Sequence, residues 1–286
     1  MLLWGGWGVL SKPLSSALSP WQLQTLSTLG LLPVLALIGR SGNLRSGSNR
    51  SRGFALAFVS GVLGSLGNVA YYQALATGGK AAAVTPITAL YPLVTIALAM
   101  LFLRERLNRV QAIGVGTSLA ALYLFNVGGD TGWLSPWLAV AMIPIALWGA
   151  SALLQKVATG SASTELVTVA FLLGEFPVAL LTPFFQRLEF GLPGTTWMML
   201  VLLGLLFGLG NLTLILAYGK GGPAALVTPL ASLYSVVTIP LAVIFLHERV
   251  AVREWLAIAL TLAAVVALGW ETKAGESPAQ STTSRL

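Results

Sequence analysis

Ten apolar runs separated by short polar gaps leave this chain few ways to fold. They lie at about residues 2–18, 20–39, 53–77, 81–103 and 110–127, and at about 137–158, 164–183, 197–219, 223–246 and 252–270. Each approaches the roughly 20 residues that a helix needs to cross a hydrocarbon core, and all are too long for barrel strands of about 9–11 residues. In lipid every backbone amide and carbonyl must be satisfied within the segment, which a helix achieves. The expected fold class is an all-α integral membrane protein with ten transmembrane helices.

Composition agrees. The 286 residues are 56% hydrophobic and 9% charged, against roughly 25% charged in a soluble domain. A formal charge of +7 would suggest nucleic acid in a soluble chain. Here the basic residues form no stripe with interleaved aromatics but sit in the gaps between apolar runs, so no nucleic-acid partner is expected. With no Cys and one His, His247, disulfides and thiolate or histidine metal sites are excluded. No cofactor is expected. The start, MLLWGGWG, lacks the basic n-region of a cleaved signal peptide.

The basic residues also give an orientation. The gap RSGNLRSGSNRSR carries Arg40, Arg45, Arg50 and Arg52, so the positive-inside rule makes it cytoplasmic. Both termini then lie in the cytoplasm, and the membrane is expected to be the plasma (inner) membrane. Arg104, Arg106 and Arg109 fall on the inner side and GGDTGWLSP (128–136) on the outer. Residues 271–286 read as a disordered cytoplasmic tail.

The chain says nearly the same thing twice. VTPITALYPLVTIALAMLFLRERL (84–107) returns as VTPLASLYSVVTIPLAVIFLHERV (227–250). Aligning 67–106 with 210–249 gives identity at roughly half of about 40 positions without a gap. A one-residue shift extends the match, setting Trp4 against Trp148, Lys12 against Lys156 and Pro33 against Pro177. The repeat is five spans, over 1–127 and 137–270. Five is odd, so the second copy is expected to be inverted in the membrane. Its counterpart of the arginine-rich gap, FFQRLEFGLPGTT (184–196), balances Arg187 with Glu189, as an external loop should. Inverted five-helix repeats are typical of alternating-access carriers, with the substrate near the midplane between them; a duplication that merely doubled a scaffold is the plainer alternative.

WG near the start of spans one and six, the T-P-hydrophobic start of spans four and nine, and the endings FLRERL and FLHERV resemble those of EamA-type carriers of the drug/metabolite transporter superfamily. The resemblance covers about residues 1–270. It implies ten helices, cytoplasmic termini and a central cavity lined mainly by the first, third, fourth, sixth, eighth and ninth helices. It also implies a secondary transporter rather than an enzyme, an exporter or exchanger of a small polar metabolite such as an amino acid. A flippase for a lipid or lipid-linked sugar, or a multidrug exporter, is the alternative. Expected partners are a small-molecule substrate and the lipid bilayer, with room for a homodimer. One departure stands out. Twelve residues separate Pro136 from Trp148 but only three separate Met1 from Trp4, so either the true start lies upstream or the first span is short and the bilayer thins around it.

Several polar residues are candidates for the pathway. Thr85, Thr88, Pro92 and Thr95 share one face of span four, and Thr228, Ala231, Ser235 and Thr238 the matching face of span nine. These hydroxyls line a wet cavity or bond their own preceding carbonyls. Pro86, Pro92, Pro229 and Pro240 interrupt the helical ladder. Asn68 and Asn211 sit in spans three and eight behind glycines suited to close packing, facing substrate or holding helices together. Tyr71, Tyr72 and Gln73 have no aligned polar equivalents in span eight. Tyr91 and Trp148 complete the proposed pathway.

Three charges lie within apolar runs: Lys12, Lys156 and Glu175. Near mid-bilayer each costs about 2.5–3.5 kcal/mol or more, so it faces a cavity or a partner. Lys12 and Lys156 lie near span ends and can snorkel. Glu175, opposite Leu31 in the repeat, is a static contact, a cationic-substrate ligand or a proton carrier. At the helix-end motif, Glu105 with Arg106 and Glu248 with Arg249 either gate opposite faces or cap the helix that follows. A membrane enzyme would need a nucleophile–base pair or a carboxylate cluster, and Glu175 has no partner in the sequence.

Overall fold

The computed structural model describes residues 1–103, 108–126, 136–222 and 224–270, which are helices and connecting turns with no strand. The arginines and carboxylate of the first helix-end motif, Glu105 and Arg106 among them, and the tail 271–286 lie outside the described residues. So does most of the gap at 128–136.

The order is α1 (Leu2–Ala17), α2 (Pro20–Ser27), α3 (Leu32–Ile38), α4 (Arg50–Ala76), α5 (Ala81–Thr88), α6 (Pro92–Leu103) and α7 (Arg109–Asn126). Then come α8 (Pro136–Thr159), α9 (Thr164–Gly174), α10 (Phe176–Leu181), α11 (Gly194–Gly219), α12 (Ala224–Ser232), α13 (Ser235–Phe245) and α14 (Val252–Leu268). Several join end to end, and seven resulting runs are long and apolar enough to cross a membrane: Pro20–Ile38, Arg50–Ala76, Ala81–Phe102, Pro136–Thr159, Thr164–Phe184, Gly194–Gly219 and Val227–Phe245. The three other expected spans fall on α1, α7 and α14, of 16, 18 and 17 residues. At a 1.5 Å rise they reach about 24–27 Å, short of a core about 30 Å thick. The first of them is 16 residues against 24 in its repeat counterpart α8.

Contacts recur in equivalent pairs. Helix α4 packs along α8, and α11 along α1; α4 crosses α9 where α11 crosses α2 and the turn after it; α5 meets α13 as α12 meets α6. Helices α7 and α14 lie antiparallel, because Asn108 at the start of one donates to the Trp270 carbonyl after the other (2.6 Å), and Gln111 to that of Leu268 (3.2 Å).

Glycine makes the crossings close. A Cβ on Gly61 would fall on the Phe171 carbonyl and one on Gly174 on the Phe58 carbonyl; equivalently, Gly204 meets the Ser27 carbonyl and Gly30 that of Val201. Such small-residue contacts let membrane helices approach backbone to backbone. The outer surface carries large apolar side chains, including Leu101, Phe102, Ile113, Tyr123, Leu180 and Leu256, all more than half exposed. A soluble protein does not expose so much of this surface, and lipid is its natural neighbour.

Spans four and nine are broken in the middle. After Pro86, Leu90 and Tyr91 donate to Ile87 and Thr88, three residues back; after Pro229, Leu233 and Tyr234 donate to Leu230 and Ala231 in the same way. The tightening is 3-10 in character. Pro92 begins α6, yet its counterpart Ser235 begins α13 equally well, so the break does not depend on that proline. Pro86, Pro229 and Pro240 lie inside helices rather than ending them.

Candidate functional site

Two neighbouring cavities lie among the helices. The larger is lined by Trp4, Trp7, Gly64, Tyr91, Trp148, Ser151, Gln155, Phe171, Phe207, Asn211 and Tyr234, with two aliphatic neighbours. About 60 Å³ is open to the centres of water-sized molecules, room for roughly four to six waters at about 10–15 Å³ each. Its walls are paired across the repeat. Trp4 meets Tyr234 edge to face at 5.9 Å and 81°, while Trp148 meets Tyr91 at 6.3 Å and 90°. Both tyrosines sit in the breaks of spans four and nine, where the tightened backbone turns them inward.

The chemistry of this cavity is aromatic with a few hydrogen-bonding groups and no charged side chain. Trp4 Nε1, the Tyr234 hydroxyl and Gln155 Oε1 are buried without a partner, and such groups are rare enough to call for an explanation. A bound molecule would supply one. Lining comes from spans one, three, four, six, eight and nine, as the family resemblance implies, with Phe171 of span seven added.

The smaller cavity holds Glu175. It is lined by Trp7, Gln24, Ser27, Thr28, Leu31, Asn68, Tyr72, Glu175, Gly204 and Phe207, and has about 10 Å³ for water-sized centres. Glu175 is fully buried, at the junction of α9 and α10. Its Oε2 accepts from Gln24 Nε2 at 2.9 Å and from Asn68 Nδ2 at 3.5 Å.

Most of the expected hydroxyls do other work. Thr88 donates to its own helix at Val84 and Thr85, and Ser235 to the Ser232 carbonyl. Thr95 donates to the Gly149 carbonyl at 2.9 Å and Thr238 to that of Gly5 at 3.1 Å, tying spans four and nine to spans six and one. Thr85 shares a hydrogen bond with Tyr71, and Thr228 one with Tyr218. None of the six lines either cavity. The stripe faces neighbouring helices because Tyr91 and Tyr234, displaced by the breaks, take the inward positions. Asn211, Tyr91 and Trp148 do line the larger cavity; Asn68 and Tyr72 line the smaller.

The charges are tied down at the ends of spans. Lys12 reaches the turn after α4 and donates to the carbonyls of Leu75 and Gly79 (2.9 and 2.8 Å), and Lys156 donates to that of Gly222 (2.8 Å) in the turn after α11. Lys12 thereby complements the C-terminal end of α4, where cations are favoured. Glu248 does not cap the following helix, whose first turn uses Glu254 on the Ala251 amide (2.7 Å). It accepts instead from the amides of Ala81 and Ala82, both at 2.8 Å, at the start of α5. Arg249 is exposed, and among the described residues the one ion pair is Lys80–Glu254 at 2.7 Å.

The sequence reading missed Trp4, Trp7, Ser151, Gln155, Phe171, Phe207 and Tyr234 in the larger cavity, and Gln24 and Ser65 beside Glu175. Tyr234 carried a signal, since it aligns with Tyr91. Gln24 carried a weaker one, an uncompensated amide in an apolar run.

The fold and cavities define a multi-pass helical membrane protein with a cavity among its helices. The profile of the EamA-like transporter family matches residues 1–127 and again 135–270. The chain belongs to that family, which consists of transporters rather than enzymes. An uncharacterized protein of Methanocaldococcus jannaschii is 37% identical over 71 residues, 25% of this chain and 51% of that protein; the match thus spans about half the length of this relative. A crystal structure of a protein 20% identical superposes with a TM-score of 0.67 over 93% of this chain and 94% of its own, a likeness of fold.

Proposed function

We propose that the protein is a secondary carrier of a small polar metabolite such as an amino acid, working as an exporter or exchanger by alternating access between two inverted five-helix repeats. The observation that carries this reading is the larger cavity, walled by the matched pairs Trp4–Tyr234 and Trp148–Tyr91 from the two copies. A cavity on the pseudo-two-fold axis is where such carriers bind substrate.

The inversion has support from the loop contacts. Gln22 donates to the Glu189 carbonyl (2.7 Å) and Gln186 bonds Ser19, so the loop after span one lies beside the loop after span seven. Asn49 donates to Ser161 (2.9 Å) and Ser163 to Ser46 (3.1 Å), so the loop after span two lies beside the loop after span six. Loops one and two flank opposite ends of span two. The equivalent loops at 39–49 and 185–193 thus belong to opposite ends of the bundle.

The lining suits a small amphipathic molecule. Aromatic faces take an apolar body or an ammonium group, while Trp4 Nε1, the Tyr234 hydroxyl and the second amide hydrogens of Gln155 and Asn211 offer hydrogen bonds to a carboxylate. The space is too small for a metabolite as it stands. Loading therefore requires the half-helices of spans four and nine to separate at their breaks, as discontinuous helices do in carriers.

A thermal-shift screen of the purified protein with amino acids, sugars, nucleotides, polyamines, lipophilic cations and lipids tests the reading. At about 100 times its dissociation constant a ligand stabilises by about 2.7 kcal/mol. Stabilisation by one metabolite class, lost in Trp148→Ala and Asn211→Leu, is the expected result. Stabilisation by lipids alone would replace the metabolite carrier with a flippase.

A further inference from the structure

We infer that Glu175, Gln24 and Asn68 form a binding site for one small monovalent cation, a proton or a sodium ion, set against the wall of the larger cavity. Donors and acceptors around Glu175 do not balance. Gln24 spends both amide hydrogens, on Ser65 Oγ at 2.8 Å and on Glu175 Oε2 at 2.9 Å. Ser65 spends its own on the Glu175 backbone carbonyl at 3.3 Å. That leaves Glu175 Oε1, Gln24 Oε1 and Asn68 Oδ1, all buried and all without a partner. All three are acceptors. What the pocket lacks is positive charge.

Turning the Gln24 amide over would not help, since its carbonyl would then face the carboxylate. An ionised carboxylate left bare costs several kcal/mol. A proton on Oε1 converts one of the three acceptors into a donor for Gln24 or Asn68. A sodium ion would draw on the same unpartnered oxygens, and oxygen ligands are what such a hard cation takes. The pocket admits about one water-sized occupant.

No resident cation serves. Among the cavity's lining the only other ionisable side chain is Tyr72. Helix α2 and α3 carry no charged residue, and neither does α11. On the other packed helices, Lys12 of α1 is committed to the carbonyls of Leu75 and Gly79, and the remaining charges stand in end turns: Arg50 and Arg52 at the start of α4, Lys156 in the last turn of α8 and Glu165 in the first turn of α9. Glu175 forms no ion pair among the described residues.

The site occurs once per chain. In the repeat, Glu175 aligns with Leu31, Gln24 with Thr168 and Ser65 with Gly208; only Asn68 has its like in Asn211. The two cavities share Trp7 and Phe207, whose rings lie 5.9 Å apart. Occupancy of one is thereby felt by the wall of the other, which suits a coupling ion. That purpose rests on the carrier reading, but cation binding does not, and it can be measured with no substrate present.

The experiment is charge displacement in proteoliposomes adsorbed on a solid support, with no organic substrate, after a jump in pH or a jump from choline to sodium. Wild type is expected to give a transient current for one of the two jumps, which names the cation. Glu175→Gln is expected to reduce it at least about tenfold, while Glu165→Gln leaves it unchanged. As a second variant, Gln24→Met is expected to move the half-maximal cation concentration about tenfold or more, so the inference stays testable should Glu175→Gln not fold. Absence of current in wild type for both jumps, or an undiminished current in well-folded Glu175→Gln, would overturn the site. Either result leaves the ligand screen of the larger cavity standing.

Discussion

At the scale of single residues, charge in this protein is spent on helix ends. The tight turn after α4 places Gly78 at φ 100°, a left-handed conformation that glycine adopts without strain. The Gly79 amide bonds back to Ala74 at 3.1 Å, closing the helix in the manner of a Schellman motif. Lys12 then takes the carbonyl ends at Leu75 and Gly79, and Glu248 takes the amide ends at Ala81 and Ala82. One cation and one anion thus complement the two helix dipoles that meet at this turn. Replacing Glu248 with Ala is expected to cost about 0.5–2 kcal/mol, read as a lower midpoint in thermal unfolding of the detergent-solubilised protein. Replacing Lys156, which serves Gly222 in the same way, with Met is expected to cost about 1.5–3 kcal/mol. The sequence located Lys12 and Lys156 within apolar runs and Glu248 at the end of one. Their partners lie at sequence separations of 63 to 167 residues, beyond what local pattern can convey.

Among the elements, glycine has opposite effects depending on what faces it. Gly61 lies against the backbone of α9, where an added Cβ would collide with the Phe171 carbonyl, whereas a Cβ on Gly116 of α7 would meet nothing within 4 Å. Gly61→Ala is therefore expected to destabilise by about 1–3 kcal/mol through overpacking. Gly116→Ala is expected to stabilise by about 0.5–1 kcal/mol, since glycine in a helix interior is costly. Paired thermal melts check both signs. The mid-span breaks were only partly legible. Proline marked spans four and nine as interrupted, but the tightened turns fall three to five residues later and place Tyr91 and Tyr234, not the threonine stripe, in the cavity wall.

For the whole molecule, the governing question is which ends of the bundle face which compartment. Single cysteines report it without background, as the chain has none of its own. Gly191 has open space around it, but Gly47 has φ 131° and lies against Ala162, so the exposed neighbour Ser48 is the better second site. Ser48→Cys and Gly191→Cys are expected to react with an impermeant maleimide from opposite sides of the membrane, the former from the cytoplasm. Labelling from one side alone would remove the inverted arrangement, and with it the alternating-access reading.

Solvent class, the repeat and family membership were all determined by the sequence. These depend on properties that act locally or recur along the chain: enough apolar residues to replace water by lipid, and two units similar enough to align. Only the tertiary structure decided which polar groups are free. Thr85, Thr95 and Thr238 look like pathway residues until Tyr71, Gly149 and Gly5 are seen to satisfy them. Glu175 looks like one isolated charge until Gln24, Ser65 and Asn68, from two other spans, are seen around it. A hydrogen bond is a property of two groups in space. A chain read in one dimension shows each group but not whether its partner arrives.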